Sequence, residues 1–156
     1  MHSTEKTLEE AIRELCEGES FAVLATQGSG QPYASLIGFA TSGDLTHLVF
    51  ATPKQTRKYA LLEKNNQVAL LVDNRSSQPD SLDYLSALTI TGEAEILSSP
   101  EERNKWGELL SDKHPYLQDF LASTDTAVVV VDVHKYLYVH KFQEVSEWIP
   151  GKGENG

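Results

Sequence analysis

Short apolar segments separated by short polar turns recur along most of the 156-residue chain, and this pattern limits the fold more than any other feature. The first three strand-length segments occupy residues 20–26, 32–40 and 46–52, and the turns between them are rich in glycine and serine. Connections this short join antiparallel strands, because parallel strands need a crossover of a dozen or more residues. The three segments therefore predict an antiparallel meander.

Apolar segments of the same kind continue through the rest of the chain. Further strands are predicted at residues 67–73, 84–97, 126–133, 136–142 and 144–149. Gly92 interrupts the alternation of the second of these and predicts a β-bulge. Apolar spacing and turn signals predict helices that begin after Thr7 and cover 55–65, 99–110 and 115–122. Ser99, Pro100 and Glu102 form a typical capped start for the third helix.

Six or seven strands with few and local helices do not suit a doubly wound parallel sheet. They predict a mostly β fold with peripheral helices, either an antiparallel β-barrel or an α+β sandwich. The length favours one domain, which we place at residues 1–150. The polar segment 151–156 predicts a disordered tail.

The charge balance disfavours several classes of partner. Lysine and arginine number 13 and aspartate and glutamate number 23, so the formal net charge is −10. The field of such a chain repels phosphate polymers, so we expect no nucleic acid or membrane partner. We see no signal-peptide pattern and no apolar run near the ~20 residues of a membrane helix. With Cys16 as its one cysteine, the chain is expected to be cytoplasmic.

The segment 52–58 carries the strongest chemical signal. Lys54, Arg57 and Lys58 are three of the 13 basic residues of this acidic chain. The segment leaves a strand and enters a helix, where backbone N–H groups without partners point outward. Cations normally avoid a helix N-terminus, and a bound phosphate is the usual reason for finding them there. The alternative is a solvated basic turn without a ligand.

The order of the segments resembles the FMN-binding split-barrel family, the flavoproteins similar to pyridoxamine 5′-phosphate oxidase. The matching pieces are FAVLAT, QPYASLIGFA, LVFAT, TRKYALLEKNNQVALLVD and LTITGEAEIL. Thr56, Arg57 and Lys58 match the phosphate-binding helix start of that family. The resemblance implies a six-stranded antiparallel split β-barrel that binds FMN. It also implies a homodimer with the cofactor at the interface, because the interior of a small barrel is filled by side chains.

The same resemblance implies roles for individual residues. Arg57 and Lys58 would hold the FMN phosphate, and Thr52 and Thr56 would hydrogen-bond to it. Three other groups would surround the flavin: Ser35, Leu36 and Ile37 along the isoalloxazine ring, Phe50 and Ala51 along the ribityl side, and Asn74, Arg75 and Ser76 across the dimer interface. Trp148 would cover the flavin edge.

Several of these residues have a simpler interpretation that stays open. Arg75 is also a candidate for a surface ion pair with Asp73 or Asp80. Trp148 is equally suited to packing in the core or at an interface. His140 is a candidate haem ligand, because some split-barrel relatives bind haem through a histidine near the C-terminus. A structural or surface role for His140 is the alternative, and the histidine spacing predicts no metal site.

Three functions are consistent with the sequence. The first is an FMN-dependent oxidoreductase of unknown small-molecule substrate or electron donor, in which the flavin supplies the chemistry. The second is a non-catalytic flavin or haem carrier of the same fold. The third is a split barrel that only dimerises. The pattern identifies no catalytic residue, and the segment KFQEVSEWIPGKGENG lacks the arginine-and-histidine tail of pyridoxamine 5′-phosphate oxidases, which disfavours that activity.

Overall fold

The computed structural model describes residues 6–77, 84–141 and 144–155. The strands are β1 (Phe21–Thr26), β2 (Tyr33–Gly38), β3 (Ala40–Thr41), β4 (His47–Pro53), β5 (Gln67–Asp73), β6 (Ser86–Ile96), β7 (Thr126–His140), β8 (Glu144–Ile149) and β9 (Gly153–Asn155). The helices are α1 (Leu8–Gly18), α2 (Arg57–Lys64), α3 (Pro100–Lys113) and α4 (Gln118–Ala122), with a 3₁₀ turn over Pro115–Leu117. No helix within the described ranges is long and apolar enough to cross a membrane.

All nine strands of the described residues belong to one curled antiparallel sheet, which confirms the mostly β fold with peripheral helices. The order is β2-β1-β5-β6-β7-β4-β3, with β8 on the second half of β7 and β9 on β8. The strand number is nine rather than the predicted six or seven, because the structure adds the short strands β3 and β9, which were not predicted separately. The predicted tail also differs, since Gly153–Asn155 pairs with β8.

The predicted meander of the first three strands is wrong. β1 and β2 do form a hairpin, but β4 pairs with β3 and β7 instead of β2. A short connection limits only how far the chain travels, and the long strand β7 offers β4 the apolar segment 127–131 as a partner. The predicted strands 126–133 and 136–142 are one continuous strand of 15 residues.

Two apolar clusters explain why β4 and β7 are hydrophobic on both faces. Leu48 and Phe50 of β4 join the main core inside the curled sheet, where α1 closes one opening with Ile12 and Cys16. Val49 and its neighbours on β7 face the opposite way, into a second cluster beneath Leu110 of α3. The valine run at 128–131 is therefore covered on both sides, which is the usual reason for an unbroken apolar strand.

Helix ends follow their capping residues. The hydroxyl of Thr7 accepts a hydrogen bond from the backbone N–H of Glu10 at 3.1 Å, and Ser99 caps α3 in the same way. Lys113 at the end of α3 donates to the carbonyl oxygens of Cys16 and Glu19, each at 2.7 Å, and so joins the ends of α3 and α1. These contacts hold both helices against the sheet that carries the candidate site.

Candidate functional site at the start of helix α2

The candidate site begins where β4 leaves the sheet and the chain turns into α2. Thr56 is the N-cap residue, and its hydroxyl accepts a hydrogen bond from the backbone N–H of Tyr59 at 3.3 Å. The same hydroxyl lies 2.9 Å from the carbonyl oxygen of Pro53 and 3.0 Å from the hydroxyl of the fully buried Thr52. The two threonines therefore fix the geometry of the turn.

Two cations lie at this positive helix end. The guanidinium of Arg57 lies 5.7 Å from the centre of the Tyr33 ring on β2, which places it beside the sheet. Partial burial lowers the pKa of the Lys58 ammonium from its usual 10.5. The first turn of α2 holds no acidic residue, and none of the ion pairs between described residues includes either cation. A bound anion would offset both the desolvation and the unfavourable dipole interaction.

Ser35 adds an unsatisfied hydrogen-bonding group on the same side of β2. Its Oγ is buried and has no hydrogen-bond partner in the described part of the chain. Strand alternation places Ser35 on the same face as Tyr33, two residues away, and therefore towards Arg57. Buried hydroxyls without partners are rare, and an absent ligand is one of their ordinary explanations. The arrangement therefore fits an anionic group with several oxygen atoms.

The site lies at one edge of the sheet. β2 is an edge strand, so part of its backbone N–H and C=O groups have no ladder partner among the described strands. Ile37 points into the core, whereas Leu36 is exposed on the opposite face of β2. Within residues 35–37, the polar groups on the side of β2 nearest Arg57 are therefore the Ser35 hydroxyl and the backbone.

The structure places Phe50 and Ala51 on opposite faces of β4. Phe50 is fully buried in the main core, and Ala51 packs against the cluster beneath α3. Trp148 is also a core residue, with its ring 5.7 Å from that of Tyr136. None of these three side chains is brought to the Arg57 surface within one chain.

Asn74, Arg75 and Ser76 lie at the other end of the β1–β5 pair. The six residues of β1 separate that end from Tyr33, a distance of about 17 Å along the strand. Asn74 accepts a hydrogen bond from the backbone N–H of Ser86 at 2.8 Å and closes the β5–β6 loop.

The same turn holds two polar contacts. Arg75 forms an ion pair with Asp73 at 3.2 Å, as its simpler interpretation predicts, and its guanidinium stays exposed. Ser76 donates to the carboxylate of Glu19 at 3.2 Å. One chain therefore does not bring this loop to the start of α2.

Two features of the site were not predicted from the sequence. The first is Tyr33, although its alternation with Ser35 places both residues on one face of β2. The second feature is an exposed apolar sheet surface, which we call the open face. Strand register puts Phe21, Leu36, Leu71 and Val145 on it. All four are exposed, with fractions of 52%, 66%, 38% and 61%.

Comparison with known protein families gives a match over most of the chain. Residues 8–140 match the profile of the family described as pyridoxamine 5′-phosphate oxidase. No curated protein sequence matches the chain.

Solved structures show the same fold at low sequence identity. A haem-binding protein from Mycobacterium smegmatis superimposes with a TM-score of 0.82 at 17% identity, over 95% of this chain and 60% of that one. ChuZ from Campylobacter jejuni gives a TM-score of 0.82 at 13% identity, over 99% of this chain and 64% of that one. An FAD-binding protein from Mesorhizobium loti gives 0.65 at 15% identity, over 85% of this chain and 95% of that one. The chain thus spans less than two thirds of the first two proteins.

Proposed function

Because the chain belongs to the pyridoxamine 5′-phosphate oxidase-like family of FMN-binding split barrels, we propose that it binds FMN and acts as an oxidoreductase on a small molecule. One observation carries the proposal. Arg57 and Lys58 lie at a helix N-terminus without a carboxylate partner in the described residues. Arg57 lies against Tyr33, and Ser35, whose buried hydroxyl lacks a hydrogen bond within the described residues, is on the same face of β2. A phosphate monoester satisfies all of these groups at once.

Each residue of the α2 site would have its own role in binding the phosphate group of FMN. The guanidinium of Arg57 would contact two phosphate oxygens, while Lys58 would contribute a mobile point charge. The hydroxyl of Ser35 would complete the phosphate site, whereas Thr52 and Thr56, whose hydroxyls bond to each other and to the turn, would hold the helix start in place. When bound, FMN supplies the hydride and electron transfer chemistry.

The open face supports a homodimer as part of the proposal. Four large apolar side chains exposed on one sheet surface form the kind of patch that marks an interaction site. Arg75 and Ser76 border this face beside Phe21 and Leu71, and all four residues line a cavity of about 360 Å³. Pairing two open faces would place the Arg75 loop at the subunit interface.

The FMN site is tested by titrating the protein with FMN and following the quenching of flavin fluorescence. Arg57→Ala and Lys58→Ala should each weaken FMN affinity about tenfold, because each removes a charge-assisted hydrogen bond. Lys64→Ala is the matched control, since Lys64 lies in the last turn of the same helix. Affinities equal to the control for both variants would overturn the phosphate assignment.

The homodimer is tested separately by analytical ultracentrifugation. Leu36→Asp should produce monomers, because it places a charge at the most exposed apolar position of the open face. Tyr116→Asp is the control, since Tyr116 is as exposed as Leu36 but lies on the 3₁₀ turn beside α3. A monomeric parent protein, or a Leu36→Asp variant that stays dimeric, would exclude this interface.

A second candidate function is a non-catalytic haem carrier. His140 borders a cavity of about 1080 Å³ together with Tyr84 and Tyr138, which is large enough for a porphyrin. Its ring stacks on Tyr138 at 6.0 Å, and its Nε2 lies 3.7 Å from the carboxylate of Glu144. The absorbance spectrum of the purified protein separates the two functions. A Soret band that disappears in His140→Ala favours haem, whereas paired near-ultraviolet and blue bands favour flavin.

Turnover separates an oxidoreductase from a flavin carrier. An oxidoreductase should reduce its bound flavin rapidly when NADH or NADPH is added. The rate is measured by stopped-flow absorbance. If the flavin is bound tightly but is reduced no faster than free FMN, the protein is a flavin carrier rather than an oxidoreductase.

A further inference from the structure

A third cavity lies apart from the α2 site of Arg57 and Tyr33, between α3, α4 and the loop that enters α2. Its volume is about 750 Å³, within the range of small-molecule sites. Tyr59 lines this cavity, whereas Arg57, two positions earlier on α2, lies against Tyr33. Residues two apart on a helix point in different directions, so the two surfaces are separate.

The side chains that line the cavity carry a net positive charge, whereas the chain as a whole is negative. Lys54 and Arg103 line it with a single carboxylate, Glu108, in a protein of net charge −10. Lys54 takes part in none of the ion pairs between described residues. Its backbone N–H is held by the carbonyl oxygen of Asp125 at 2.9 Å, which fixes the base of the side chain at the cavity rim.

Arg103 is held in place with donors to spare. Its guanidinium donates to the carbonyl oxygens of Thr126 at 2.8 Å and Leu121 at 3.5 Å, at the start of β7 and the end of α4. A guanidinium carries five N–H donors, so these two bonds leave others for a ligand. An arginine already ordered by backbone carbonyls loses little further conformational entropy when an anion binds.

The rest of the lining is divided between apolar and polar groups. Leu97, Leu121 and Ala127 supply an apolar wall, and the hydroxyls of Ser98 and Thr124 lie on the rim. This combination recognises a molecule with one charged end and one apolar end. We propose that the cavity binds a small organic anion, in which a carboxylate or phosphate group is attached to an apolar ring or chain, independently of the flavin site.

The test uses phenyl phosphate and benzoate as probes, with inorganic phosphate and phenol as the charge-only and ring-only comparisons. Titrations are followed by ¹H–¹⁵N NMR in the parent protein and in Arg57→Ala, which lacks the main phosphate contact of α2. The expected result is saturable binding of an organic anion, with shifts at Asn104, Ser123 and Thr124, that survives Arg57→Ala. Binding of only one probe distinguishes a phosphate ligand from a carboxylate ligand.

Variants of the two cations locate the binding. Lys54→Ala should weaken the probe about threefold and Arg103→Gln about tenfold. Lys105→Ala is the matched control, because Lys105 is on the same helix but lies over the Trp106 ring at 5.1 Å. Lys54→Ala keeps the test independent of Arg103, whose loss also removes the hydrogen bonds to the carbonyl oxygens of Thr126 on β7 and Leu121 on α4.

Three outcomes would overturn the proposal. They are the absence of saturable binding by either organic probe, equal affinities in Lys54→Ala and the Lys105→Ala control, and loss of binding in Arg57→Ala. None of them affects the FMN site, because FMN affinity is measured in a separate titration.

Discussion

Replacing Gly92 by alanine tests how the sheet achieves its curl. Gly92 lies on β6 where the register with β7 shifts, so that Thr91 faces Lys135 and Gly92 faces Val133. A Cβ at position 92 would lie 2.3 Å from the carbonyl oxygen of Asp132 and 2.8 Å from Cγ1 of Val131. The first neighbour is backbone and cannot rotate away.

The cost follows from these distances. Carbon and oxygen atoms approach to about 3.3 Å even in attractive C–H···O contacts, so β7 must move by about 1 Å or the bulge must open. Overpacking of this kind costs about 3 kcal/mol when backbone must shift. For a chain of this length the loss corresponds to a fall in Tm of about 6–12 °C.

The assay is thermal unfolding followed by circular dichroism, with Gly107→Ala as the matched control. Gly107 is inside α3, and the nearest atom to its added Cβ would be Cδ2 of Leu121 at 3.9 Å, an ordinary contact. That variant should gain up to about 1 kcal/mol, because alanine is the better helix former. The two glycine substitutions should thus have opposite signs. A Gly92→Ala protein that melts within about 2 °C of the parent would refute the close approach of β6 and β7.

Three further predictions concern single side chains. Tyr33→Leu should weaken FMN binding about threefold by removing the ring beneath Arg57, and Tyr33→Phe should restore the affinity in the same fluorescence titration. Burial raises the pKa of the Cys16 thiol from 9.0 to about 12, so its contribution to stability is complete below pH 9 and is lost towards pH 12. Urea unfolding of Cys16→Ala should therefore show a weaker decline over that range, and Tyr136, whose phenol pKa burial also raises, should contribute to the decline that is left above pH 10. Hydrogen bonds from neighbouring hydroxyls lower the pKa of Asp44 from 3.8 to about 2, so the stability that it contributes is lost as pH falls from 4 to 2. Asp44→Asn should flatten the acid limb of the same unfolding series, and an unchanged limb would show that the turn does not depend on the charge.

Local signals predicted the elements well where a short stretch of chain decides them. β5 was expected at 67–73 and covers those residues. The bulge expected at Gly92 is confirmed by the register shift with β7. The predicted start of α3 is confirmed by the hydrogen bond from the backbone N–H of Glu102 to the Ser99 hydroxyl. Caps, bulges and turns depend on a few neighbouring residues, and this is why the sequence reveals them.

Pairing between distant strands was not available from the sequence. The short turn after residue 40 suggested that β4 would join its neighbours in a meander, but it pairs with β7, more than 70 residues later. The break expected at residues 134–135 is absent, because β6 supports β7 along most of its length. Both outcomes depend on apolar surfaces that meet only when the sheet curls.

The candidate site was also predicted only in part from the sequence. The cluster of Arg57 and Lys58 at a helix start was visible in the sequence, together with the threonines that cap the turn. The Tyr33 ring beneath Arg57 and the unpartnered hydroxyl of Ser35 were not, since β2 is brought to α2 by tertiary structure. The roles assigned to Asn74, Arg75 and Ser76 stay predictions that require a second subunit.

By itself the sequence determined the strand-rich composition of the chain, the caps of its helices and the basic start of α2, because each depends on residues adjacent in the chain. Only the tertiary structure decided that this start would face an edge strand whose buried Ser35 hydroxyl has no partner among the described residues, and that the apolar side chains of the open face would stay exposed. Those arrangements come from the curl of one sheet around one core. The same curl separated Lys54, which lines the cavity beside α3, from Arg57, which lies against β2.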